Sequence, residues 1–177
     1  MKQLVGWLSL KDDNVRYQAF ELLQNRSAFF DDVYPFWDIF SEKLKSENSY
    51  QRSIGLMLIA ENVRWDTENR MEEIIGEYLA LLSDEKPITI RQCIQSLGKV
   101  ASAKPGLRDI ITLRLISFDI MTVKETMRKS ILLDILNVLL VIRKEHKTAE
   151  VEDFILKALS GGILDKKSKK QIEHLLG

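Results

Sequence analysis

Two histidines, one cysteine and two Trp-Asp pairs are the residues of this chain whose types could support chemistry. A nucleophilic cysteine needs an adjacent base and an exposed, electropositive setting that lowers its thiol pKa. Cys93 lies in the apolar run IRQCIQSLGKV with neither, and is expected to behave as a small buried hydrophobe. His146 and His174 stand in lysine-rich or acidic stretches near helix ends, without the Cys/His spacing of a zinc site. Neither G-x-x-x-x-G-K-[ST] nor G-x-G-x-x-G occurs, so a phosphate cradle of either standard kind is absent. Trp37, within FWDIF, is expected in the core, and Trp65-Asp66 falls at a helix-to-helix turn where Asp66 is expected to cap the next helix with Asn69. An active site requires converging groups of suitable pKa and geometry. No catalytic residue, cofactor site or metal site is therefore expected.

The elements that must position these residues announce themselves through four arginines. Arg16, Arg52, Arg91 and Arg128 are spaced 36, 39 and 37 residues apart, and each opens an apolar run after a polar or turn-like segment. Repeats of this length bury a face against the next unit because none has a core of its own. Aligned on the arginines, apolar or small residues recur three, six and seven positions on: Ala19, Leu22, Leu23; Gly55, Leu58, Ile59; Ile94, Leu97, Gly98; Ile131, Asp134, Ile135. That spacing places them on one helical face, with Asp134 the departure. First-type helices are expected before each arginine, at Met1 to Leu10, Pro35 to Lys45, Arg70 to Ser83, Leu107 to Phe118 and Glu150 to Ser160. Pro35 suits a first helical turn, Lys104-Pro105-Gly106 marks a break, and Gly161-Gly162 is expected to close a helix in the left-handed conformation. DKKSKKQIEHLLG reads as a fifth second-type helix, with Lys169 where the arginine stood. The expectation is an all-α chain, an α-solenoid of about five antiparallel helix pairs forming a single domain over residues 1–177, with no strand because no run alternates with period two.

Charge and composition bound the function. Lys/Arg and Asp/Glu balance at 26 each, which argues against a molecule that grips nucleic acid throughout. Residues 1–88 nevertheless hold 10 basic and 16 acidic side chains, and residues 89–177 hold 16 and 10, giving a charge dipole of minus six against plus six. One cysteine excludes a disulfide within the chain. The apolar start is cut off by Lys11, Asp12 and Asp13, and the most apolar segment, residues 131–142, is 12 residues long against the ~20 a bilayer crossing needs. A cytoplasmic protein without a membrane partner is expected.

The pattern of an acidic or turn residue before an x-R dipeptide, carried by Asp13 with Val15-Arg16, Glu47 with Gln51-Arg52, Asp84 with Ile90-Arg91 and Glu125 with Met127-Arg128, resembles the HEAT-like (armadillo-like) repeat family. The resemblance covers nearly the whole chain, on motifs of low specificity. It implies that each arginine pairs with the preceding acid or with helix-end carbonyls of the adjacent repeat. It also implies a non-enzymatic scaffold that binds a protein or peptide partner along a concave face made by the second helices. Residues placed there off the packing face are Tyr17, Glu21 and Gln24, Ser53 and Met57, Gln92, Ser96 and Lys99, and Lys129 and Asn137; of these Tyr17, Glu21, Gln92, Lys99 and Lys129 are the candidate partner-binding residues. Some HEAT-like proteins are alkylpurine DNA glycosylases, in which aromatic and acidic residues hold a damaged nucleotide. The alternative is therefore a nucleic-acid-binding or DNA-repair module using Trp37-Asp38 or Trp65-Asp66, with Arg91, Lys99, Arg128 and Lys129 on phosphate.

Overall fold

Helices start in this chain where a short polar side chain takes up the first free backbone N–H groups. Asp12 accepts from the N–H of Asn14 and Val15, Asn48 from Tyr50, Thr148 from Val151 and Asp165 from Ser168. The computed structural model describes residues Met1–Gly177 as ten α-helices joined by turns, several of them 3-10, and no strand. The helices are α1 (Lys2–Trp7), α2 (Asp13–Ser27), α3 (Trp37–Lys43), α4 (Ser49–Asn62), α5 (Arg70–Ala80), α6 (Pro87–Ala103), α7 (Arg108–Ile116), α8 (Glu125–Glu145), α9 (Ala149–Ser160) and α10 (Lys166–Leu176). The odd-numbered helices fall on the five expected first-type segments, and the even-numbered ones contain the four arginines and Lys169, each starting three or four residues before that side chain. No helix is long and apolar enough to cross a membrane.

The even-numbered helices pack in chain order, α2 on α4, α4 on α6, α6 on α8 and α8 on α10. The odd-numbered ones flank them, α1 on α2, α3 on α4, α7 on α6 and α8, and α9 on α7 and α8. α5 is held by its buried Met71, Ile75, Tyr78 and Leu79, with the Tyr78 hydroxyl donating to Leu56 O at 2.9 Å. One continuous apolar core runs from Val5 to Ile172.

Several local expectations are corrected. Leu22, placed on the packing face, is exposed, whereas its counterparts Leu58 and Leu97 are fully buried; α1 packs on α2 without covering that side. Ser53 and Ser96, placed on the open face, are buried between helices. Gly161 adopts an extended backbone (φ −72°, ψ 176°) and not the left-handed one, so α9 ends without the expected cap. Pro35 lies in a 3-10 turn, Tyr34–Phe36, that leads into α3. Asn69 is the left-handed residue (φ 59°), a conformation its short polar side chain tolerates, and Asp66 reaches past it to cap α5.

Three of the four repeat arginines clamp the turns beneath them. Arg16 donates to Leu10 O (2.8 Å), Arg52 to Ser46 O (2.8 Å) and Glu47 O (2.9 Å), and Arg128 to Val123 O (3.2 Å) and Met121 O (3.3 Å). Lys169 does the same with Gly161 O at 2.9 Å. These carbonyls belong to the arginine's own repeat, not to its neighbour. Arg16 also pairs with the preceding Asp13 as expected. Arg91 does not take the preceding Asp84, because Arg52 of the repeat before it already holds that carboxylate. Arg91 turns instead to Asp134 on α8 (2.6 Å), which also accepts from Gln95 (2.9 Å). The one polar residue in the apolar pattern is thus a buried acceptor shared by two donors of the neighbouring helix.

Close approach of α3 and α4 depends on Gly55. A Cβ there would lie 2.7 Å from Phe40 O and 3.0 Å from Lys43 Cβ, so backbone would have to move. Gly55→Ala is expected to destabilise by about 1–3 kcal/mol of overpacking, offset by up to about 1 kcal/mol of helix propensity. Gly76→Ala on α5, where nothing lies within 4 Å, is expected to stabilise. Opposite shifts of the two thermal midpoints check this; a rise for Gly55→Ala would contradict the packing.

Candidate interaction face

Side chains that the even-numbered helices do not use for packing line up across four of them. Tyr17 and Glu21 stand on α2, Met57 and Glu61 on α4, Gln92, Gln95 and Lys99 on α6, and Asn137 and Val141 on α8. On α8 the outward residues Lys129, Leu133, Asn137 and Val141 recur every fourth position, which keeps them on one side of the helix. Two recesses interrupt this face. The larger, about 640 Å³, is bounded by Ala60, Glu61, Arg64, Gln95, Lys99 and Val141. The smaller, about 230 Å³, lies between Tyr50, Ser53, Met57, Ile88 and Gln92.

The candidate residues fall on this face in different settings. Tyr17 and Glu21 are exposed neighbours on α2, and a hydrogen bond to the Glu21 carboxylate, which favours the neutral phenol, holds the Tyr17 pKa above the ordinary tyrosine value. Gln92 lines the smaller recess, and its Oε1 is shielded from solvent without a donor. Lys99 lies on the rim of the larger recess, paired with Glu61. Lys129 is remote from both, paired at 3.0 Å with Asp165, the cap of α10. Glu61, absent from the expected set, is the central residue: it accepts from Gln24 of α2 (3.0 Å) and from Lys99 of α6, joining three helices. Its signal in the sequence is that it is the one acid of the apolar α4. Arg64 and Val141 were also missed, since only the stacking of the helices brings them to one recess.

The Trp-Asp pairs are occupied by structure. Trp37 is buried in the core, and Asp38 is exposed and takes Arg70. Trp65 donates its indole N–H to Ser27 O at 2.7 Å. Asp66 is buried and fully used, accepting from the Tyr34 hydroxyl (2.9 Å), the N–H of Arg70 (2.9 Å) and Met71 (3.0 Å), and the Lys104 ammonium (2.9 Å). Burial pushes the Asp66 pKa up, but these four donors outweigh it and hold the carboxyl below its ordinary range. Burial also pushes the Cys93 thiol up, away from the thiolate a nucleophile needs. His146 sits 3.1 Å from Asp109.

The site is thus a broad, mixed-polarity helical face with two shallow recesses, in which Lys99 is paired with Glu61 and Arg64 donates to Ala28 O. No family model matches the chain, and neither a curated protein nor a solved structure matches it.

Proposed function

We propose that the chain is a HEAT-like α-solenoid acting as a non-enzymatic scaffold, which holds an extended or helical segment of a partner protein along the face of its even-numbered helices. The observation that carries this is the recess between α4, α6 and α8, where apolar Ala60 and Val141 lie beside the polar Gln95, Arg64 and Lys99. Such a mixture of apolar floor and spaced polar groups suits a peptide, which offers both side chains and backbone hydrogen bonds. A bare phosphate chain would need free cations. Of the four residues the nucleic-acid reading assigns to phosphate, Arg91, Lys99 and Lys129 are paired with Asp134, Glu61 and Asp165, and Arg128 is bonded to turn carbonyls.

The test is capture from the native cell extract by the immobilised chain, with and without nuclease, beside a variant carrying Val141→Glu and Gln95→Glu. Protein retained by the wild type after nuclease treatment, and lost with the variant, supports the proposal. Retained nucleic acid whose binding falls steeply with salt, as counterion release requires, overturns it.

A further inference from the structure

Lysine is almost never buried without a partner of opposite charge. Lys43, on α3, is only 8% exposed, and its ammonium meets two neutral acceptors, Ser9 Oγ at 3.2 Å and Gln51 Oε1. Gln51 is itself fixed by donating to Leu8 O at 2.8 Å. The turn after α1, the end of α3 and the start of α4 therefore meet around a cation whose charge no carboxylate neutralises. Arg16, held by Asp13 and Leu10 O, lies close enough to repel it. Burial first, and Arg16 second, hold the Lys43 pKa below the ordinary lysine value. A buried charge without a counter-charge is costly. An ammonium has three donors, and two of those on Lys43 are used.

Lys43 and Arg16 line a recess of about 660 Å³, together with Lys11, which is exposed and enters no ion pair. The two acids of the recess are engaged with other cations, Asp38 with Arg70 and Glu42 with Lys45. Leu10 and Ile39 also line it, and remain 42% and 46% exposed. We infer that this recess binds a carboxylate borne on an apolar group. One carboxylate oxygen accepts from the unused donor of Lys43, Lys11 adds a second positive charge, and Leu10 and Ile39 cover the apolar part. A phosphate fits less well. A lysine ammonium is a point charge without the fork that grips several oxygens, and Asp38 and Glu42 repel a dianion more than a monoanion. A free organic acid and the C-terminal residue of a peptide share this chemistry. The recess has no residue in common with the two on the candidate face, so the inference goes beyond the scaffold reading and does not rest on it.

Calorimetric titration of the full chain tests it, with octanoate for the free acid, an acetylated dipeptide ending in leucine for the peptide C-terminus, and the amide of each. The acids should bind at least about tenfold more tightly than their amides, as one charge-assisted hydrogen bond implies, and the tighter acid identifies the source. Lys43→Met, which keeps the stem and removes the ammonium, should abolish the difference between acid and amide. Lys11→Ala, on an exposed side chain that the fold does not use, should weaken both acids a few-fold at low salt. Lys170→Ala, the same charge change on exposed α10, should not. Acid and amide binding alike, no binding of either acid at millimolar concentration, inorganic phosphate binding more tightly than both acids, or a Lys11→Ala protein indistinguishable from Lys170→Ala would overturn the inference.

Discussion

Arg52→Ala is expected to cost about 3–5 kcal/mol, because it leaves a buried carboxylate without its counter-charge. The Arg52 and Asp84 side chains retain only 10% and 3% of their exposure and are joined by two hydrogen bonds of 2.6 and 2.9 Å. The same guanidinium satisfies Ser46 O and Glu47 O, so the turn between α3 and α4 loses its donor as well. Burial pushes the Asp84 pKa up, but Arg52 and the Lys86 N–H bring it below the ordinary value.

Denaturant midpoints with unchanged slopes would measure the loss. Lys129→Ala, which breaks a half-exposed ion pair with Asp165, should leave the midpoint nearly where it was, since exposed pairs contribute little. If Arg52→Ala were as mild as Lys129→Ala, the arginine would not be the clamp its geometry describes. A double replacement of Arg52 and Asp84 by Met and Leu should recover much of the loss, because the cost lies chiefly in the unpaired charge.

The helices were legible because their signals are local. Arg16, Arg52 and Arg128, with Lys169, clamp the turns below them, while Arg91 keeps the spacing and bonds Asp134 instead; the apolar three-and-four spacing follows from the face each helix buries. What escaped depends on neighbours that sequence distance hides. Leu22 has the same local pattern as Leu58 and Leu97, yet it is exposed because neither α1 nor α4, the helices packed on α2, covers it. Asp134 looked like an irregularity until Arg91 and Gln95 were found across from it, 43 and 39 residues earlier in the chain. Ser53 and Ser96 were expected in the open because they lie off the three-and-four packing stripe; each is small enough to lie between closely packed helices. On the candidate face, Tyr17 and Lys99 were readable as residues off the packing side. The recess was not, since Arg64, from the 3-10 turn after α4, and Val141, from α8, come together only across α6. Gly161 shows a further limit: a glycine after a helix permits the left-handed cap without requiring it.

Asp66 separates a structural from a functional origin of the Trp65-Asp66 pair. Asp66→Ala removes the cap of α5, worth about 1 kcal/mol, and leaves the Lys104 ammonium with its nearest carboxylate gone, so a total near 3 kcal/mol is expected. Glu72, 3.4 Å from Lys104, and the Asp66 backbone carbonyl at 2.8 Å remain and keep the loss from going higher. The carboxyl titrates below its ordinary value of 3.8 when folded, so its contribution is fully present above that pH and is lost as pH falls through the folded pKa. The wild type should therefore lose stability in acid more steeply than Asp66→Ala, and the gap between them should close below pH ~4. A carboxylate kept for holding a ligand would behave otherwise: its removal would leave the folded state unharmed or more stable at neutral pH. Thermal midpoints of the two proteins from neutral pH down to the acid transition distinguish the two cases. The four donors converging on Asp66 make the structural outcome the expected one, since a carboxylate whose acceptor positions are filled from α5, the turn before α3 and the end of α6 has none left to offer a bound molecule.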